Sequence, residues 1–176
     1  MVQLQFDAGI EKINSKHIIL LPGNISKMLS SRGMTMIKGV INGMDFETPL
    51  EPDGMGSHWF SIDTESIINK TTGTVSVIAE EMDVWNEPEI PIDIRNALIN
   101  TGLEEQWNGI STKARWEWIR WIRFTKNPET RKRRIETACS MLGQGKKRPC
   151  CFDHSRCTDM SVSKNGVLIG LIKSQI

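Results

Sequence analysis

The sequence has no apolar run that approaches the ~20 residues a membrane-spanning helix needs, so it predicts no transmembrane segment. Its first residues, MVQLQFDAGIEK, are acidic and amphipathic, and they lack the basic and apolar regions of a signal peptide. These two absences predict a cytoplasmic protein. In that reducing compartment the four cysteines are expected as thiols or metal ligands, because disulfides persist mainly in oxidising compartments.

The chain also lacks a strong net charge. Its formal charge is +1, which by itself predicts no polyanionic partner. The total hides a split, because residues 1–99 hold 7 Lys and Arg against 14 Asp and Glu, whereas residues 100–176 hold 15 against 7. Either the basic half meets an anionic partner, or the two halves dock on each other. We favour docking, since a protein that holds polyanions seldom carries an acidic half of equal size.

No catalytic motif stands out in the sequence. The segment GQGKK differs from the GxxxxGK[ST] spacing of a phosphate-binding loop. The pattern shows no nucleophile beside a base and no pair of acids placed for acid–base work. The sequence therefore predicts a protein that is not an enzyme and that needs no cofactor.

The first half of the chain has the pattern of strands. LQFDAGI, HIILL, HWFSI and TVSVIAEEM alternate or form short apolar runs, and MTMIKGVINGMDFETPL carries two alternating runs around Asn42-Gly43, which suits a type I′ hairpin turn. Short helices are expected in NISKMLSSRG, with Asn24 as N-cap, and in DTESIINKTTG, with Asp63 or Thr64 as N-cap. The pattern predicts an α+β fold, in which a small split β-barrel with short capping helices precedes a C-terminal helical region.

Within the predicted barrel, only the segment EPDGMGSHWF has a pattern that suggests a function, through its glycines and its histidine. Gly54 and Gly56 allow the backbone to bend or to approach something closely, and His58 follows them, so they are candidates for a ligand site at the barrel mouth. The preferred interpretation is a bulge or loop that feeds a strand, with a partly buried histidine. No second histidine or nearby carboxylate pattern supports a metal or acid–base role.

The second half has the pattern of helices. Pro88 and Pro91 mark a linker that leads into a helix capped by Asp93, and Ser111 is expected to cap a helix that ends near residue 125. Asn127-Pro128 predicts a cap followed by proline at the first helical position, in a helix that runs to residue 142. The predicted parts are a barrel domain at 1–85, a linker and helix start at 86–98, a helical region at 99–145 and a cysteine-containing tail at 146–176.

The stretch RWEWIRWIRF, residues 115–124, holds three of the six tryptophans. On a helical wheel its apolar side chains share one face, which predicts a core stripe of Ala114, Trp118, Trp121, Ile122 and Thr125 with Phe124 and Ile119 on its flanks. Trp116 falls on the opposite side, near Arg120 and Arg123. There it can stack under an arginine or pack on the barrel, the interpretation we favour, or it can offer a platform for a nucleic-acid base.

The last predicted helix combines an apolar line with a basic run. The apolar line consists of Ile135, Ala138, Cys139 and Leu142. Arg131 lies one turn earlier on that line, so we expect it to pair with a carboxylate from the acidic half or with Glu117, because a buried unpaired charge is costly. Arg133 and Arg134 face other directions, as on a solvated basic face. The candidates for an anion- or partner-binding surface are Trp116, Arg120, Arg123, Arg131, Arg133 and Arg134.

The tail contains GQGKKRPCCFDHSRCTDM, in which Cys150, Cys151, His154 and Cys157 have the chemistry of zinc ligands. Adjacent cysteines chelate one tetrahedral ion poorly and the CxxC spacing is missing, so a metal site is not favoured. A reduced tail is the preferred interpretation, and an oxidation-prone thiol is the second. The final VSKNGVLIGLI has an Asn165-Gly166 turn before an apolar end that can add a strand or pack as a tail.

Part of the sequence resembles a known family. WIRFTKNPETRKRRIETACSMLGQGKKRP is similar to the C-terminal signature of the YdeI/OmpD-associated, bacteriocin-protection-like proteins. The matching residues are Trp121, Ile122, Lys126, Glu129, Thr130, Arg131, Arg133, Arg134, Ile135, Leu142 and Gly145. VINGMDFETPLEPDGMGSHWFSI resembles the barrel domain of unknown function that commonly precedes this region, and the whole resemblance covers residues 3–148.

The resemblance implies a small split β-barrel of the kind also seen in AbrB- and MazE-like proteins, followed by helices. It also implies a link to protection against bacteriocins or antimicrobial peptides, with no established reaction and no catalytic residues to carry over. The first hypothesis is a non-enzymatic cytoplasmic binding protein with an unknown ligand or protein partner. The alternative is a nucleic-acid-binding regulator that uses the basic helices, and an enzyme with a site around His58 is the least favoured.

Overall fold

A computed structural model describes residues 2–63, 65–70 and 73–170 of the chain. It divides into two compact units. The described residues of the first unit lie within Met1–Val84, Asp153–Cys157 and Ser161–Ile176, and the second comprises Trp85–Phe152 and Thr158–Met160. Each unit has a hydrophobic core of its own.

The first unit is built on a closed barrel with the strand order β1-β2-β5-β4-β3-β6. The strands are β1 (Gln3–Ile13), β2 (Lys16–Leu20), β3 (Thr35–Ile41), β4 (Met44–Pro52), β5 (His58–Ser61) and β6 (Thr74–Glu81). Two short helices, α1 (Gly23–Ser26) and α2 (Glu65–Lys70), interrupt them. The α+β class and the small barrel are therefore confirmed.

The barrel closes because two strands each change partners along their length. The first part of β1 pairs with β6 as far as Gly9↔Thr74, and its second part pairs with β2 from Ile10↔Ile19 onward. In the same way β4 pairs with β3 up to Leu50 and then with β5. All of these pairings are antiparallel, so short connections suffice.

The hairpin between β3 and β4 forms at the predicted turn. Asn42 and Gly43 have φ values of 49° and 80°, as a type I′ turn requires, and the flanking pair is Ile41↔Met44. The Asn42 side chain also accepts a hydrogen bond of 2.9 Å from the backbone N–H of Ser76. The turn residues therefore connect three strands of the barrel.

The second unit consists of four helices around an apolar core. They are α3 (Ile92–Thr101), α4 (Glu104–Gly109), α5 (Thr112–Arg123) and α6 (Pro128–Gly143). The predicted line Ile135, Ala138, Cys139 and Leu142 is buried, as are Ala114, Trp118 and Ile122 of α5. The sequence analysis did not predict α4, whose buried Trp107 packs in the same core.

Two predicted helix caps are confirmed and two are wrong. Ser111 accepts from the N–H of Ala114, and the Asn127 side chain accepts from the first free N–H groups of α6. Asn24 and Asp93 do not cap their helices, because α1 starts after Pro22 and α3 after Pro91. The alternative cap Thr64 lies outside the described residues.

The chain returns to the first unit after the helices. Residues 153–157 and 161–170 contain the small hairpin β7 (Ser163–Lys164) and β8 (Val167–Leu168), which turns at Asn165-Gly166 as predicted. An apolar cluster joins this segment to the barrel, and its buried members are Ile13, Ile18, Trp59, Cys157, Val162 and Leu168. The apolar end that follows the Asn165-Gly166 turn was predicted to add a strand or to pack as a tail, and it adds the strand β8. Its last two residues, 171 and 172, lie outside the described residues.

A search of the described helices for a candidate membrane span finds none of sufficient length and apolar character.

Candidate functional site

The tryptophan-rich helix α5 is mainly a packing element. Trp118 is fully buried, its ring meets that of Trp121 edge-on with centroids 5.8 Å apart, and its indole N–H donates to the carbonyl of Lys147 at 3.0 Å. Trp116 is half-buried on another face, and its indole N–H donates to the carbonyl of Asn86 at 2.8 Å. The structure therefore gives each of the three tryptophans a place within the helical unit.

Most of the candidate arginines are engaged inside the same unit. Arg120 is 1% exposed and its guanidinium lies 5.3 Å from the centre of the Phe152 ring, so it belongs to no outer surface. Arg123 donates to the hydroxyl of Thr158 at 3.0 Å. The predicted stack of either arginine on Trp116 is thus replaced by these two contacts.

Arg134 lies over the ring of Trp121. Its guanidinium lies 5.4 Å from the ring centre and donates to the carbonyls of Trp121 and Phe124, each at 2.8 Å. These two carbonyls belong to the end of α5, where backbone acceptors have no partner within the helix. Partial burial lowers the pKa of Arg134. Its role in the structure is to close the end of α5, whereas Arg133 is exposed.

Arg131 forms a two-point ion pair with Asp93. Nε and one terminal nitrogen of Arg131 donate to the two carboxylate oxygens at 2.6 and 2.9 Å. This hydrogen bonding lowers the pKa of Asp93 and raises that of Arg131. The partner comes from the acidic half, as predicted, but the side chains remain 27% and 44% exposed, so the pair lies at the surface and not in the core.

A groove of about 510 Å³ lies beside this ion pair, between α3 and α6. Its lining is Asp93, Asn96, Ala97, Asn100, Pro128, Arg131, Lys132, Ile135 and Glu136. Asn96 and Asn100 are exposed and lie one turn apart on α3, where each carboxamide offers both donors and an acceptor. Ile92 and Ile99, on the outer side of the same helix, are 70% and 51% exposed.

His58, the barrel-mouth candidate, is fully buried. Its Nδ1 lies 2.7 Å from Oγ of Ser26, and its Nε2 lies 2.9 Å from the carbonyl oxygen of Gly33. Because that carbonyl can only accept, Nε2 carries the proton, and Nδ1 accepts from the serine hydroxyl. Burial lowers the pKa of His58, and the nearby Arg32 acts in the same direction.

The serine–histidine pair has the composition of a nucleophile and a base, but Ser26 is also fully buried. Arg32 adds a hydrogen bond of 3.3 Å to its hydroxyl. A substrate cannot reach a hydroxyl that has no accessible surface, so the pair serves the packing of the barrel. The sequence analysis missed this contact, because 32 residues separate the two side chains and no motif connects them.

The glycines of the barrel-mouth candidate approach the chain's own backbone. Gly54 has φ of +82°, and a Cβ placed on it would lie 2.0 Å from the carbonyl oxygen of Gly166. The hairpin of residues 163–168 therefore occupies the space that a ligand would need there, and Leu168 donates to the carbonyl of Asp53 at 2.9 Å. Gly56 also has a positive φ, of +95°, but nothing lies within 4 Å of its Cβ position.

The tail candidates separate into different environments. Cys157 is fully buried in the cluster around Trp59, whereas Cys150, Cys151 and His154 are exposed. Among residues 2–63, 65–70 and 73–170, no group of three or more His, Cys, Asp or Glu side chains could hold a metal ion. Cys150 and Cys151 do lie together, with their sulfur atoms 3.1 Å apart.

These features define a barrel-and-helix protein with a groove on its helical unit that is lined by apolar, carboxamide and charged side chains. Residues 87–145 match the family described as Bacteriocin-protection, YdeI or OmpD-Associated, and residues 6–74 match the Domain of unknown function (DUF1905). The helical region is thus similar to the YdeI/OmpD-associated family, and most of the barrel region that precedes it is similar to DUF1905. No curated protein and no solved structure matched the chain in the same comparisons.

Proposed function

We propose that this chain is a non-enzymatic cytoplasmic binding protein that contributes to tolerance of bacteriocins or antimicrobial peptides. The family description supports the biological setting. The groove between α3 and α6 supports the chemistry, and its ligand is an extended peptide segment. The observation that carries this proposal is the pair of exposed carboxamides, Asn96 and Asn100, on one wall of the groove.

Carboxamides suit a peptide because each one can donate to a carbonyl and accept from an N–H of the same backbone. Lys132 and Glu136 lie on the opposite wall and provide one charge of each sign for the ligand's side chains or termini. The exposed Ile92 and Ile99 offer further apolar area on α3. Peptide sites combine these elements, namely backbone hydrogen bonds for affinity and side-chain contacts for specificity.

The nucleic-acid hypothesis has less support from the side-chain contacts. Arg115 pairs with Glu87, with the closest atoms 2.6 Å apart, and Arg131 pairs with Asp93. Arg120 and Arg134 are engaged with aromatic rings of their own unit. Cations that are neutralised or buried release few counterions from a nucleic acid, and counterion release supplies much of its affinity.

The test is fluorescence anisotropy with labelled amphipathic peptides of matched length, one series cationic and one anionic. The double variant Asn96→Ala/Asn100→Ala removes both carboxamides, and we expect it to weaken binding by about tenfold, since two hydrogen bonds of ~0.7 kcal/mol each give that factor. The matched control is Gln106→Ala/Thr137→Ala, which changes two exposed polar residues outside the groove lining. The control is expected to bind as tightly as the original chain.

Either of two results contradicts the proposal. One is the absence of binding to both peptide series, and the other is an equal loss of affinity in the groove variant and the control. A labelled single-stranded and a double-stranded oligonucleotide are titrated in parallel at low and high salt. Salt-sensitive oligonucleotide binding that Arg133→Ala reduces and the groove variant leaves intact would establish the alternative function.

A further inference from the structure

The segment after α6 carries two adjacent thiols on the surface of the helical unit. Cys150 and Cys151 are both exposed, and their sulfur atoms are 3.1 Å apart. We propose that these two cysteines form a reversible vicinal dithiol–disulfide site that exchanges with low-molecular-weight disulfides such as glutathione disulfide. This site is independent of the peptide groove and of the proposed function.

The two thiols sit on a turn that is held in place from both sides. Upstream, the carbonyl of Lys147 accepts from the indole N–H of Trp118 at 3.0 Å. Downstream, the Phe152 ring lies 5.3 Å from the guanidinium carbon of Arg120. Both anchors are buried residues of α5, so they restrain the backbone of the turn. This restraint keeps the two sulfur atoms close together.

The other two cysteines of the chain are placed differently. Cys139 is 8% exposed in the core of the helical unit, and Cys157 is 0% exposed in the first unit. A thiol reacts with a disulfide only when its thiolate can reach it, so burial protects both of these residues. Exchange chemistry is therefore confined to the adjacent pair.

The charge around the pair favours an anionic reagent. Lys146 and Lys147 are exposed and precede the two cysteines closely in the chain. Their ammonium groups attract the carboxylates of glutathione disulfide. The neighbouring Cys150 sulfur raises the pKa of the Cys151 thiol. We assign the first attack to Cys150 and the second to Cys151.

The exchange runs in two balanced steps. The Cys150 thiolate attacks one sulfur of glutathione disulfide, the S–S bond of the reagent breaks, and one glutathione thiolate leaves. The Cys151 thiol then loses its proton and attacks the Cys150 sulfur, which displaces the second glutathione as a thiolate. The two cysteines are oxidised, the two glutathiones are reduced, and the two protons from the cysteines end on the released thiols.

The experiment is mass spectrometry of the intact folded protein in glutathione buffers that range from reducing to oxidising. The expected product of the original chain is a mass loss of two hydrogens, reversed by dithiothreitol and without a lasting glutathione adduct. Cys151→Ser is expected to stop after the first step and to keep one glutathione on Cys150. Iodoacetamide on the folded protein should label two cysteines before oxidation and none after it.

The matched controls are Cys139→Ser and Cys157→Ser, which are expected to show the same loss of two hydrogens as the original chain. If either of them is unfolded by circular dichroism, peptide mapping of the oxidised original chain locates the bond in its place. The proposal is overturned by a stable double adduct of glutathione, by no reaction in oxidising buffer, or by an unchanged mass loss in Cys151→Ser.

Discussion

Several polar side chains of the barrel unit are buried, whereas those beside the groove of the helical unit are exposed. In the barrel, Ser26 and His58 are fully buried and bonded to each other, and Asp53 is 2% exposed with its carboxylate accepting from the N–H groups of Met55 and Ser57. In the helical unit, Asn96 and Asn100 are exposed beside a groove. Buried and satisfied polar groups specify a fold, whereas exposed ones remain available to a ligand.

The comparison also shows that side chains with the composition of a catalytic pair are not always accessible to a substrate. A histidine beside a serine suggests catalysis, but without accessible surface the pair cannot meet a substrate. The groove lining includes no such pair, yet its carboxamides Asn96 and Asn100 are accessible. We therefore place the proposed binding site on the helical unit, where polar side chains are accessible. We assign a structural role to the buried Ser26 and His58 of the barrel.

The largest expected effect is on the core of the helical unit. Trp118→Ala removes a fully buried indole and its hydrogen bond to Lys147, so we expect the free energy of unfolding to fall by about 3–5 kcal/mol. Trp116→Ala is the matched variant on the same helix, and its half-buried ring predicts a loss of about 1 kcal/mol. Urea denaturation of both variants measures the difference, and equal losses would contradict the assignment of the two faces.

A nearly equal effect is expected where the hairpin of residues 163–168 meets the barrel. Gly54→Ala places a methyl group 2.0 Å from a carbonyl oxygen of Gly166, and the overpacking predicts a loss of about 3 kcal/mol. Gly56→Ala has the same backbone strain but open space, so a loss of about 1 kcal/mol is expected. Thermal unfolding of the pair tests the close approach, and a larger shift for Gly56→Ala would disprove it.

The smallest effect concerns the pH dependence of the barrel. Burial lowers the pKa of His58 below its ordinary value of 6.5, so the unfolded chain binds this proton more tightly than the folded one. Stability is thus fully present above pH 6.5 and is lost as the pH falls below it, by at most ~1.4 kcal/mol per pH unit for one proton.

The control for this pH dependence is His58→Gln, which removes the titrating group and keeps an amide that can donate to Gly33. Denaturation of both proteins between pH 5 and 7 is expected to show the additional slope only in the original chain. Identical slopes in the two proteins would exclude His58 as its source.

Much of the fold could be predicted because its signals are local. Asn42-Gly43 requires a backbone with positive φ, and Ser111 and Asn127 satisfy the free N–H groups of the helices that follow them. The prediction that Asn24 and Asp93 cap helices was wrong, and the reason is also local. Each lies within two residues of a proline whose fixed φ starts the helix earlier, so the polar residue falls inside the first turn.

The sites depended on contacts that no local pattern reveals. Asp93 and Arg131 are 38 residues apart, and the carboxamides of α3 meet the charged side of α6 only in the folded helical unit. The burial of Arg120 could not be predicted for a related reason. Its partner Phe152 belongs to a segment that was predicted to be a tail. Only the possible pairing of Arg131 with a carboxylate of the acidic half could be foreseen.

The return of the chain to its first unit has a consequence for synthesis on the ribosome. Ile13, Ile18 and Trp59 are covered by Cys157, Val162 and Leu168, which are translated after the whole of Trp85–Phe152. Translation proceeds at ~5–20 residues per second, so the barrel waits several seconds with this apolar face open while the helices emerge. The nascent barrel thus exposes an apolar surface that a chaperone can bind. A stop codon after residue 152 leaves this surface permanently uncovered.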